Sequence, residues 1–281
     1  MLLLLSLLAS DSLAQDRKVD PTWLHRRAPA ESLSSGVCHY TPIFGDGDSD
    51  NRILRTVTRF GELTLDAQGN CQSALYEREE EIYFVMEGTG VLHYADQKHP
   101  VRTSDFTYLA PGVKHSIANN SEKKLRILVM GFKIPQRSSV GAPPAHPTII
   151  NLDNVKEETV DGHPTSVLYK LLVGPRGAKR DAIDDAYAVT SFFWMDFAPG
   201  GTNFPHHHEY AEEIYIVLDG QGEMAAGSGT DGIEGRYPAQ AGDAYYFRPN
   251  CTVGFYNQNK AGAKAHILAV RSPIPQPEGE D

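Results

Sequence analysis

The sequence has little of several things that would settle its class at once. Helical periodicity is missing. No segment carries a long apolar pattern recurring every 3.6 residues, which excludes a helix bundle. Long hydrophobic runs are missing too. Leu2–Leu8 falls well short of the roughly 20 residues that cross a bilayer as a helix, so no membrane insertion is expected. Positive charge is scarce, with 26 Lys and Arg against 36 Asp and Glu and a formal net charge of -10. That balance speaks against a nucleic-acid partner, whose phosphates demand a basic footprint. Cysteine is scarce as well, with only Cys38, Cys71 and Cys251. Three thiols cannot all pair within one chain. A Cys38–Cys71 disulfide and a set of reduced, buried thiols both stay open as readings.

Turn and strand chemistry is plentiful. The 25 Gly and 18 Pro punctuate short runs rich in β-branched and aromatic residues. The expected fold is therefore all-β, built of barrels or sandwiches. Residues 1–14 read as a signal peptide, a short apolar stretch ending in Ser12-Leu13-Ala14, which resembles a small-residue cleavage site. The mature chain is then exported, to the periplasm or outside the cell. Asn119-Asn120-Ser121 and Asn250-Cys251-Thr252 match the glycosylation sequon. Residues 15–50 are polar with little periodicity. They read as an N-terminal arm or long loop of the kind that pairs copies in a homo-oligomer.

The chain repeats itself. Glu79–Gly90 aligns with Ala211–Gly222, so that Glu81 falls on Glu213. Ser104–Pro111 aligns with Gly242–Pro249, and Asn119 with Asn257. Blocks that keep their order and spacing mark an internal duplication. The first unit is expected over 51–135, a proline-rich linker over 136–147, and the second unit over 148–281. Within the second unit, the Gly-, Arg- and Asp-rich stretch 173–185 reads as an inserted surface loop.

The richest chemistry lies in Gly200–Gly220, GGTNFPHHHEYAEEIYIVLDG. In extended backbone, side chains alternate faces. His206 and His208 then share one face, and His207 takes the other. Glu213 opens the next apolar strand. Two imidazoles and a carboxylate gathered this way make a three-ligand metal site with open positions. Glu209 and Glu212 read as solvated loop charges.

At these residues the second unit resembles the cupins, small β-barrels of jelly-roll type. Gly200, His206-His207-His208, Glu213 and Gly220 occupy the fixed positions of the first cupin motif. In the second motif, the place of the usual fourth ligand falls on Val253. The first unit shows the opposite pattern. Its first-motif positions fall on Ala74, Tyr76 and Glu81, while Ala110-Pro111-Gly112-Val113-Lys114-His115 keeps the second motif. The whole chain therefore resembles a bicupin, two tandem cupin barrels.

The resemblance implies one divalent transition metal per chain (Fe, Mn, Cu, Ni or Zn) on His206, His208 and Glu213. Tyr215, Tyr245 and Phe247 are candidates to line the barrel around a small-molecule ligand. Tyr76, Glu81 and His115 make a weak, vestigial site in the first barrel. The expected activity is that of an exported metalloenzyme, resembling quercetin-type dioxygenases or sugar-acid isomerases. Ureidoglycine aminohydrolase-like hydrolysis and non-catalytic ligand binding are the alternatives.

Overall fold

The computed structural model describes residues 20–28, 37–227, 234–259 and 262–274. The expected signal peptide, residues 1–14, lies outside them. The first unit contains β1 (Trp23–Arg27), β2 (Cys38–Gly45), β3 (Val57–Leu65), β4 (Glu79–Glu87), β5 (Thr89–Tyr94), β6 (Gln97–Arg102), β7 (Asp105–Leu109), β8 (His115–Ala118) and β9 (Leu125–Lys133). The second contains β10 (Ile149–Asn151), β11 (Val167–Pro175), β12 (Ile183–Ala186), β13 (Ser191–Phe197), β14 (Ala211–Asp219), β15 (Gln221–Gly227), β16 (Glu234–Gln240), β17 (Asp243–Phe247), β18 (Thr252–Tyr256) and β19 (Ala265–Pro273).

Two expectations need correcting. The stretch read as an irregular arm carries β1 and β2. The stretch 173–185 is only partly a loop. Val173 pairs with Ile183 in a parallel ladder, and both are buried.

Each barrel is a large sheet packed on a small one. The strand orders are β10-β7-β4-β9-β3-β2 with β6-β5-β8, and β1-β17-β14-β19-β13-β11-β12 with β16-β15-β18. The leading strand of each half has crossed to the other half. β1 pairs with β17, placing Arg27 opposite Asp243, and β10 pairs with β7, placing Asn151 opposite Asp105. The same device closes both crossings: Arg27 donates to Asp243 at 3.1 Å, and Asn151 donates to Asp105 at 2.7 Å. These partners are remote in sequence, which is why β1 shows no local signature beyond its five residues.

The alternation of β4 and β14 explains their unbroken apolar runs. Tyr83 and Val85 pack inside the first barrel, Tyr215 and Val217 inside the second. Ile82, Phe84, Ile214 and Ile216 face the other way, into a core shared by both barrels. Both faces are buried, so both must be apolar. Each such side chain contributes about 1.5–3 kcal/mol by leaving water.

Two residues before Ile82 and Ile214, on that same shared-core face, each strand carries a carboxylate that locks the barrels together. Glu80 accepts from the backbone N–H groups of Tyr187, Ala188 and Val189 at 2.7, 2.9 and 2.8 Å, and from the Tyr108 hydroxyl at 2.8 Å. Glu212 accepts from the N–H groups of Arg55, Thr56 and Val57 at 3.0, 2.7 and 2.8 Å, from the Tyr246 hydroxyl at 2.7 Å, and from the Thr56 hydroxyl. Glu212 is therefore not a solvated loop charge. It is 1% exposed, and its solvent is the other barrel's backbone. Burial pushes the Glu80 carboxyl up, against the pull of its four donors.

Asn119 and Asn257 are a further matched pair, each fully buried with its amide donating to three carbonyls. Asn119 is accordingly a structural residue, despite its sequon.

Candidate metal centre

His206 is held by backbone. Its N–H donates to the Val253 carbonyl at 3.0 Å, and its carbonyl accepts from Val253 N–H at 2.8 Å. This single bridge is enough to set the alternation. His206 and His208 are both half-buried with ring centroids 5.0 Å apart, while His207 is exposed. β14 delivers Glu213 to the same space. One ligand atom from each of His206, His208 and Glu213 lies within 4.8 Å of the others, and among the described residues no other group of three does so.

The donor set fits a cation. Nδ1 of His206 lies 2.9 Å from the Phe204 carbonyl. A carbonyl can only accept, so Nδ1 carries the proton and Nε2 keeps its lone pair for the site. Glu213 is 2% exposed, and neither carboxylate oxygen has a hydrogen-bond partner among the described residues. Burial alone would raise its carboxyl. Nearby His208, Arg271 and His206 outweigh burial and hold it below the usual range, so it stays ionised. Burial also lowers His206, which stays neutral and able to ligate. Nε2 of His208 lies 3.2 Å from Glu213 Oε2 and 3.0 Å from Arg271 Nη1. The His208 ring thus stands within reach of both the carboxylate and the guanidinium.

Around the triad is a narrow cavity of about 100 Å³, lined by His163, Tyr169, Arg180, Phe193, Tyr215 and Arg271 among others. Tyr215 accepts from Asn203 at 3.0 Å. Tyr245 and Phe247 are fully buried and are not among the residues lining this cavity: Tyr245 stacks on His25 and donates to the Pro238 carbonyl, and Phe247 meets Tyr215 edge-on. Val253 is 1% exposed and apolar, so the fourth ligand position of the motif holds no donor.

Sequence reasoning did not place Arg271, Tyr169 or His163. For Arg271 a signal existed. Ile267 and Ala269 point into the barrel, and period two carries Arg271 to the same face. Its Nη2 donates to Ser191 at 3.2 Å.

The first barrel brings Tyr76, Glu81 and His115 together. Nε2 of His115 lies 2.7 Å from Glu81 Oε2, and the Tyr76 ring centre 6.2 Å from that of His115. A guanidinium occupies the cation seat here. Arg59 lies 3.0 Å from Glu81 and 2.7 Å from Glu79, with its Cζ 3.9 Å from the centre of the Tyr76 ring.

The cupin-domain profile matches the chain twice, over residues 61–131 and 193–270. No curated protein sequence matches it. Among solved structures, procruciferin, an 11S globulin from Brassica napus, superposes with a TM-score of 0.67 at 11% identity, covering 91% of this chain and 85% of that one. The protein Ylba from E. coli gives 0.65 at 14% identity, covering 96% and 100%. The oxalate decarboxylase of Lactobacillus farciminis, solved as a formate complex, gives 0.62 at 12% identity, covering 87% and 88%. At such identities the likeness is one of fold. Two matched domains, two barrels and a His-His-Glu group at the motif positions of the second make this chain a member of the cupin family, with the two-barrel architecture of a bicupin.

Proposed function

We propose that the chain is an exported metalloenzyme whose second barrel acts on a compact carboxylate-bearing molecule. The observation that carries this reading is Arg271, whose side chain lines a narrow cavity with His206 and Glu213 and whose guanidinium contacts His208. Arginine pairs a carboxylate in two parallel hydrogen bonds. His206, His208 and Glu213 would hold the divalent transition metal. The metal supplies Lewis acidity or, as iron or copper, redox chemistry.

The chain's own groups do the rest. Arg271 orients the carboxylate. Nδ1 of His163 donates to the Asn203 carbonyl at 3.0 Å, which leaves Nε2 as a proton acceptor on the cavity wall. The Tyr169 hydroxyl is buried without a partner among the described residues, and burial pushes its phenol up, so it remains a donor for a substrate oxygen. Phe193 and Tyr215 keep water from the back of the cavity. The formate bound to the Lactobacillus enzyme is a ligand of the size and charge this cavity suits. The Cys38–Cys71 disulfide supports export, because such bonds persist in oxidising compartments.

The test is metal analysis of protein purified without added metal, followed by substrate profiling with small carboxylates. Stoichiometric iron or copper assigns oxygenase chemistry. Manganese or zinc assigns isomerase, hydrolase or decarboxylase chemistry. A His206→Ala variant that retains full turnover would sink the proposal.

A further inference from the structure

The first barrel has lost its histidine pair and gained space. Its cavity measures about 600 Å³, against about 100 Å³ in the second. Three exchanges distinguish the inward positions of the two barrels. Gly61 stands where the strand register places Phe193 in the second barrel, Gly131 where it places Arg271, and Ala74 bridges His115 as His206 bridges Val253. A Cβ at Gly61 would come within 2.8 Å of the Tyr40 ring. The missing side chain is therefore what lets Tyr40 lie across β3.

Tyr40 is the counterpart of Tyr169, one pairing Leu63 and the other Met195. Its hydroxyl is likewise buried with no partner among the described residues. An unpartnered buried hydroxyl is costly to keep, on the order of 1–3 kcal/mol. The Tyr40 side chain forms part of the wall of a cavity whose other walls include Leu63, Tyr83, Ile117 and Val129.

We infer that the first barrel is a second ligand site, independent of metal, for an uncharged aromatic molecule bearing a carbonyl or hydroxyl oxygen. The apolar and tyrosine walls take the ring, and Tyr40 donates to the oxygen. The ligand is uncharged because Arg59 is already neutralised between Glu79 and Glu81, so no cation remains to receive an anion. The volume lies within the range of pockets for molecules of this size, roughly 300–1,000 Å³. Access runs past Gln72, which is exposed and on the cavity wall, and past Val37, 60% exposed on the same rim.

The test uses the full chain and 6-propionyl-2-(dimethylamino)naphthalene, an uncharged aryl ketone whose emission shifts to the blue in apolar surroundings. The expected result is one saturable site per chain, unchanged by metal removal and by His206→Ala. Gln72→Trp, which plugs the exposed rim without touching the core, weakens binding at least tenfold. Tyr40→Phe weakens it about fivefold, the equivalent of one hydrogen bond of roughly 1 kcal/mol. Absence of saturable binding overturns the inference, as does binding indifferent to Gln72→Trp or abolished by His206→Ala. Tighter binding of the anionic probe 8-anilinonaphthalene-1-sulfonate at the same site overturns the assignment to an uncharged ligand.

Discussion

In the second barrel His206 bridges Val253, and in the first Ala74 bridges His115. Each barrel thus retains a histidine on one side of the same bridge and an apolar residue on the other. The guanidinium shows a parallel exchange. Arg59 on β3 faces Gly131 on β9, whereas Arg271 on β19 faces Ser191 on β13. In both barrels a guanidinium lies beside the inward glutamate, delivered from neighbouring strands. In the first it is clamped by two carboxylates, and in the second it contacts His208 and Ser191 and borders the cavity. The frame is common to the two halves, and the chemistry is set by which residue fills each inward position.

Exchanging those residues tests the comparison. The largest effect is expected for His206→Ala, which removes a ligand. Metal affinity should fall on the order of 10³-fold or more in equilibrium titration, since even outer-shell partners of ligands are worth 10–100-fold. The reverse change should build a site. Ala74→His with Tyr76→His, combined with Arg59→Ser to vacate the cation seat, should raise bound metal from one to two ions per chain by elemental analysis. The same pair of histidines with Arg59 retained should leave it at one.

Smaller effects are expected on stability. The Cys38–Cys71 disulfide closes a sequence separation of 33 residues, and the first barrel alone has one. Cys38→Ser should cost about 3–4 kcal/mol in denaturant unfolding, with metal binding at the second barrel unchanged. The smallest effects are expected at the carboxylate locks. Glu80→Gln or Glu212→Gln turns an amide NH2 toward backbone donors and should cost about 2–3 kcal/mol. The two penalties should be close, with Glu212→Gln the larger, because both locks take three backbone N–H groups and a tyrosine hydroxyl and Glu212 adds the Thr56 hydroxyl. A large disparity would show that one lock dominates the union of the barrels.

Much of this was legible in the sequence, for a physical reason. Strand alternation is local, so Ile82–Val85 and Ile214–Val217 announced buried strands, and the duplication located them twice. The triad was legible because His206, His208 and Glu213 lie within eight residues of one another, close enough for one bridge and one strand to aim them. What sequence could not show is pairing across the halves. Nothing near Trp23–Arg27 reveals that its partner strand begins at Asp243. Nothing near Glu212 reveals that the N–H groups of Arg55–Val57 will solvate it, so a buried lock resembled a surface charge. Arg271 lies between these cases, legible from the period of Ile267 and Ala269 but only once the inward face is known.

The crossed strands also impose a timetable on synthesis. Arg27 waits for Asp243, 216 residues later, and at about 5–20 residues per second that is roughly 10–40 s on the ribosome. During that interval the edge of β7 is open until residues 149–151 emerge, and β1 has no sheet to join. Open edges of this kind attract wrong partners. The nascent first half is therefore the stage at which this chain most needs a chaperone, and a gene cut between the barrels would hold both products there permanently.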